Sequence, residues 1–131
     1  MNPMLALRQY QKIGAQAQTS EASPHRLVQM LMEGGLDRIA QAKGAMERND
    51  IASRGVLISK AIGIVGGLRE GLDLENQAES VAELDALYTY MMKRLAEANV
   101  KADVKLLDEV ADLLRTVKEG WDAIAAPGPQ F

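Results

Sequence analysis

The chain has no cysteine, one histidine and only five aromatic side chains (one Trp, three Tyr, one Phe) in 131 residues. Without cysteine there is no disulfide framework, no thiolate metal site and no cysteine nucleophile. One histidine and the absence of any Glu-x-x-His pair remove the ligand sets of His-rich and di-metal carboxylate centres. No nucleophile–base couple can be assembled, so no catalytic, cofactor-binding or metal-binding residue is assigned. Positive charge is also scarce: 15 basic against 18 acidic side chains, a net charge of −3 and a pI near 5.2. That balance argues against nucleic-acid binding driven by phosphate neutralisation. Aromatics at 4 % leave little material for a β-sandwich. The longest nearly apolar run, Ala61 to Leu68 between Lys60 and Arg69, is far short of the roughly 20 residues that cross a bilayer. Met1 to Tyr10 lack a signal-peptide apolar core and cleavage site. These absences lead to the expectation of a soluble, cytoplasmic protein without membrane insertion.

What is abundant is Ala, Leu, Met, Gln and Glu, a helix-forming set. Start and stop signals predict four helices. Ser23 caps the first, with Pro24 at the first helical position, and it runs to about Met46. Asp50 caps the second, which runs to about Leu72. The third begins near Asn76 and ends at Ala98, with Asn99 in a C-terminal turn. Asp103 caps the fourth, which Pro127-Gly128-Pro129 stops after Ile124. Each helix is about 30 to 36 Å long, and short loops join them. The predicted fold is all-α, an antiparallel four-helix bundle over residues 23–125, with an N-terminal arm (1–22) packed on it and a disordered tail (126–131).

The apolar stripes differ in width. In the fourth helix Leu107, Val110, Leu114, Val117, Trp121 and Ile124 alternate at spacings of three and four and cover an arc of about 100°. Val81, Leu84, Tyr88, Met91, Leu95 and Ala98 do the same in the third. The second helix is apolar over about 160°, with Ile51, Ile58 and Ile62 along one edge. In the first, Leu27 and Met30 fall to one side of a core line through Leu31, Gly35 and Ala42, and Met32 and Leu36 to the other. A four-helix core needs roughly 100° from each member, so the first two helices carry surplus apolar surface. Met4, Leu5, Leu7, Tyr10 and Ile13 make a weakly amphipathic arm, too short to be a stable helix alone, that suits such a surface as a displaceable cover.

Other features have ordinary readings. His25, in the first turn, is expected on the surface. Gly63, Gly66, Gly67 and Gly71 lack the strand that a phosphate loop requires and mark close helix approach or a shallow groove. Of Met30, Met32, Met46, Met91 and Met92, the first two flank the core line, where an adaptable side chain suits either the core or a ligand surface.

The chain resembles the FliS family of flagellin-specific secretion chaperones. The resemblance runs from Tyr10 to Ile124. It rests on Tyr10, on Ala22-Ser23-Pro24-His25-Arg26-Leu27-Val28-Gln29-Met30-Leu31-Met32-Glu33-Gly34-Gly35, on Lys60-Ala61 and Leu72-Asp73-Leu74-Glu75, and on Leu87-Tyr88-Thr89-Tyr90-Met91-Met92-Lys93-Arg94-Leu95-Ala96-Glu97-Ala98-Asn99, with Asp103 and Trp121. Gln77-Ala78 stands where the family usually has Gly-Gly, and Met32-Glu33-Gly34-Gly35 where it tends to have Tyr-Asp-Gly-Ala. The resemblance implies a cytoplasmic, non-enzymatic chaperone that binds the disordered C-terminal region of flagellin, prevents premature polymerisation and supports delivery to the export apparatus, whose gate components are further partners. It also implies an arm that lies over the groove and yields on binding, with Tyr10 matching the arm's tyrosine. On both grounds Tyr10 and Ile13 are the expected gate, and Leu27, Met30, Ile51, Ile58, Ile62 and Val65 the expected partner-binding groove. The alternative is a structural bundle whose surplus faces form a homodimer when unliganded.

Overall fold

The computed structural model describes residues 23–124. They form four helices: α1 (Pro24–Glu47), α2 (Ile51–Glu70), α3 (Glu79–Lys101) and α4 (Val104–Ala123). Each helix packs on its chain neighbours and α4 closes the ring on α1, so every helix has two partners. The directions alternate. His25 near the start of α1 meets Trp121 near the end of α4, and Lys43 near the end of α1 meets Asp108 near the start of α4. Arg54 with Asn99 and Arg69 with Asp85 set α2 antiparallel to α3 in the same way. The expected all-α antiparallel bundle is therefore the fold. The expected arm (1–22, with Tyr10 and Ile13) and tail (126–131) lie outside the described residues.

Three helix starts have the predicted chemistry. Ser23 Oγ accepts from the Arg26 N–H at 3.1 Å, Asp50 Oδ1 from the Ser53 N–H at 3.2 Å, and Asp103 Oδ1 from the Lys105 N–H at 2.9 Å. Each satisfies one of the donors that a helix start leaves unpaired. The third helix departs from expectation at both ends. It begins at Glu79, three residues later than Asn76, because the Asn76 side chain accepts from the Ala78 N–H at 2.9 Å and holds a turn instead. Ala78 then occupies the cap position without a side-chain bond. At the other end α3 passes through Asn99, whose Oδ1 accepts from Arg54 Nε, and stops at Ala102 in the left-handed region (φ 50°). Asn49 (φ 56°) plays the corresponding part after α1, a conformation that asparagine adopts more readily than alanine.

The core is one cluster fed by all four helices: Ile39, Ala42, Ile58, Ala61, Val65, Met91, Leu95, Leu107, Val110 and Leu114 are among its buried members. The stripes expected in α3 and α4 face inward as read, except that Val81 is only partly buried and outside the core cluster, and Ile124 lies beyond the last helical turn and is largely exposed. At the centre α1 and α4 come close at Gly35: a Cβ there would stand 3.1 Å from Leu114 Cδ2 and 3.4 Å from Ile64 Cγ2. Gly63, by contrast, has open space at its Cβ position, so close approach does not explain it. α2 is long and apolar enough to cross a membrane by length and composition, but Ile58, Ala61 and Val65 are sealed inside the bundle.

Candidate partner-binding site

The first candidate site is a cavity of about 690 Å³ at one end of the bundle. Here α1 and α3 begin, and α2 and α4 end. Leu27 and Met32 from α1, Leu68 from α2, Tyr88 from α3, and Val117 and Trp121 from α4 line it, with glycine backbone at Gly67, Gly71 and Gly120. Its size falls in the range of ordinary ligand pockets, and its walls are mostly apolar. Burial pushes the Tyr88 phenol up to about 12, further above neutral pH than its ordinary value of 10.

A closed pair of residues forms one wall. His25 Nε2–H donates to the Trp121 carbonyl at 3.0 Å, and Trp121 Nε1–H donates back to the His25 carbonyl at 3.0 Å. The two rings stack with centroids 4.8 Å apart and planes 13° from parallel. His25 thus gives a second donor to a carbonyl at the end of α4 that also accepts from the Ile124 N–H at 3.2 Å. The expectation of a surface histidine is corrected: His25 is 8 % exposed. The missed signal is in the spacing. His25, Val28, Met32, Gly35, Ile39, Ala42 and Met46 alternate at three and four, so the inward stripe of α1 extends back to the histidine. The same stripe seals Met32, at 1 % exposed, into the core and removes it from any open ligand surface except as cavity wall. Asp122 braces this corner. Its carboxylate accepts from Lys118 Nζ and Gln29 Nε2, both at 2.7 Å, and these donors, Lys118 first, hold it below the usual aspartate value.

The second candidate is the flank of α2. Gly34 of α1 faces Ile64 of α2, which puts Met30 and Leu27, one and two turns away on the same edge, beside α2. Ile51, Ile58 and Ile62 share an edge with Arg69, which pairs with Asp85 of α3, so they look toward α3. The six expected groove residues within the described range therefore divide between the two sides of α2 and do not line one trough. Met30 (38 %) and Ile51 (68 %) are exposed and Ile62 is partly buried. Ile58 (2 %) and Val65 (0 %) are core residues, a correction to their reading as open surface, because the apolar arc of α2 is used mainly to meet α1 and α3. Leu27 is 4 % exposed and is the one of the six that lines the end cavity. Val56, unremarked in the sequence, is 54 % exposed and extends the apolar surface of α2.

Comparison with known proteins bears on what this surface is for. The family described as flagellar protein FliS matches residues 6–128. The chain is 58 % identical over 125 residues to the flagellar secretion chaperone FliSB of Pseudomonas aeruginosa, covering 95 % of this chain and 99 % of that protein. It is 39 % identical to the flagellar secretion chaperone FliS of Vibrio cholerae, over 91 % of this chain and 88 % of that one. Its identity to the Salmonella typhimurium flagellar secretion chaperone FliS is 35 %, over 91 % and 89 %. The chain belongs to the FliS family. FliS proteins are chaperones of flagellar secretion and not enzymes, in agreement with the lack of any catalytic constellation in the sequence. A chaperone of flagellar secretion has a protein as its partner.

Proposed function

We propose that this FliS protein binds the disordered C-terminal region of flagellin in the cytoplasm, keeps subunits from polymerising before export, and passes them to components of the flagellar export gate. The observation that carries the reading is apolar surface left open on α1 and α2, at Met30 and, toward the start of α2, at Ile51 and Val56, together with a cavity of about 690 Å³ at the other end of the bundle. A disordered amphipathic segment gains its binding energy by burying against such surface. The chain entropy that the segment loses on ordering offsets much of the hydrophobic gain. Affinity then comes from many small contacts, chiefly at Met30, Ile51 and Ile62, with Leu27 met through the end cavity and Ile58 and Val65 supporting the surface from beneath. Residues 1–22 act as an arm over this region, and Tyr10 and Ile13 form the gate that the ligand displaces. Such an arm, held by a few side chains at about 25 cal/mol per Å² less its ordering entropy, is worth only a few kcal/mol and can be exchanged.

Titration of the isotope-labelled chain with a flagellin C-terminal peptide tests this by NMR. Shifts are expected at Tyr10, Ile13, Met30, Ile51 and Ile62. Shifts confined to α3 and α4, with the arm unaffected, contradict the assignment.

A further inference from the structure

Tyr88 is 3 % exposed, and among the described residues its hydroxyl has no hydrogen-bond partner. No side-chain oxygen or nitrogen among them is both sealed and unpaired, so the hydroxyl is not walled in by apolar atoms. What surface it keeps opens on the cavity that Tyr88 lines. A buried donor in that position lacks an acceptor that the bundle does not supply.

The rim beside it is acidic. From Glu70 to Met92 the chain has six carboxylates and no basic residue. Four of them, Glu70, Asp73, Glu75 and Glu79, fall in the ten residues that carry the chain from α2 to α3 at this end, and Asp73 is on the cavity wall. All four are exposed, and none is in an ion pair among the described residues. The basic side chains of the helix ends that meet here are already engaged: Arg26 with Glu33, Arg69 with Asp85 and Lys118 with Asp122. The mouth therefore carries unbalanced negative charge above an apolar interior. We propose that the end cavity and its rim are a docking site for a basic, apolar segment of a protein partner. An apolar side chain fills the interior, a backbone carbonyl accepts from the Tyr88 hydroxyl, and lysine or arginine side chains meet the four carboxylates.

The lining residues of α1 run from Pro24 to Met32, a depth of about 12 Å, which takes an anchor side chain and about three residues of extended chain. Extended chain has carbonyls free to accept, whereas those inside a helix are already paired. The carboxylates are spread along ten residues while the apolar floor is one place, so a chain, and not a small amine, meets both. Exposed carboxylates are worth little singly, but together they steer cationic segments toward the mouth. The proposal rests on the chaperone reading only in taking the occupant to be a protein.

Trp121 is the only tryptophan and stands on the cavity wall, so the full-length chain reports occupancy by its own fluorescence. The probes are a capped lysine–leucine hexapeptide, its glutamate–leucine counterpart, and spermidine. The lysine peptide is expected to shift Trp121 emission saturably and to bind about tenfold more tightly than the glutamate peptide. Spermidine, with charge and no anchor, should leave the emission unchanged. Asp73→Asn with Glu75→Gln should weaken the lysine peptide roughly three- to tenfold, and Asp73→Asn keeps the oxygen that accepts from the Glu75 N–H. Tyr88→Phe should weaken it about fivefold, the worth of one hydrogen bond, and should keep or raise the urea midpoint because the hydroxyl it deletes has no partner. Equal binding of the two peptides, an emission change with spermidine, or affinity untouched by Tyr88→Phe and by the rim pair overturns the proposal. A lower urea midpoint in Tyr88→Phe also overturns it, since the hydroxyl then has a partner within the chain. Binding that appears only after Arg8→Gln with Lys12→Gln overturns it in favour of the chain's own arm as occupant. No flagellin enters these measurements, so their failure leaves the apolar flank of the chaperone reading in place, and failure of that flank leaves them unaffected.

Discussion

The His25–Trp121 pair joins the beginning of the bundle to its end, and a double-mutant cycle isolates what the contact is worth. His25→Ala removes a hydrogen bond to the Trp121 carbonyl and one partner of the ring stack. A buried hydrogen bond contributes about 1 kcal/mol net and an aromatic pair about 0.5 to 1.5 kcal/mol, so the expected loss is about 2 to 3 kcal/mol with the buried apolar area included. Trp121→Ala removes the reciprocal bond to the His25 carbonyl and a larger, half-buried side chain, at about 2 to 4 kcal/mol. Both hydrogen bonds end on backbone carbonyls, so each survives substitution of the opposite side chain. Only the ring stack needs both side chains. The double variant should therefore be less destabilised than the sum of the singles by about 0.5 to 1.5 kcal/mol, the stack alone. Urea unfolding followed by far-UV circular dichroism gives all four stabilities, since fluorescence is lost with Trp121. His25→Phe separates the terms further: it retains a stacking ring and gives up the hydrogen bond, and should fall between the native chain and His25→Ala. A coupling energy indistinguishable from zero, with singles of normal size, would refute the claim that the rings hold α1 and α4 together.

Two further outcomes follow from other contacts. Gly35→Val should destabilise by about 1 to 3 kcal/mol through overpacking, because a Cβ at this position would stand 3.1 Å from Leu114 and 3.4 Å from Ile64. Gly34→Ala, whose Cβ finds only ordinary contact with Ile64 at 3.7 Å, should stabilise by up to about 1 kcal/mol through helix propensity; urea midpoints compare the two. The Tyr90 hydroxyl and Arg94 Nε both donate to Glu109, Tyr90 having the larger effect, and hold its carboxyl below the ordinary value of 4.5. A depressed acid stabilises the fold above its unfolded value and loses that contribution as pH falls through the folded one. Acid titration of stability should thus be shallower below about pH 4.5 in Glu109→Gln than in the native chain, and an unchanged slope counts against the contact.

Local chemistry determined much of this protein. The helix caps at Ser23, Asp50 and Asp103 were legible because a side-chain oxygen three or fewer residues from an unpaired N–H acts without help from the rest of the fold. The narrow stripes of α3 and α4 were legible because a helix with a single buried face has one period to read. The family, too, was readable from the pattern Ser23-Pro24 with Leu87-Tyr88-Thr89-Tyr90, and the match over residues 6–128 bears it out. Periodicity did not decide how the wide arc of α2 is shared. A broad apolar face is consistent both with an open groove and with contact to two neighbours at once. Only packing shows that Ile58 and Val65 are enclosed between α1 and α3 while Ile51 and Met30 stay at the surface, on opposite sides of α2. The burial of His25 is hidden from the sequence for a related reason. Polarity argued for solvent, and the acceptor that makes its burial tolerable, the Trp121 carbonyl, lies 96 residues away in sequence. The end cavity has the same origin: four helix ends meet there, and a void between ends belongs to no single helix and leaves no mark on any one stripe.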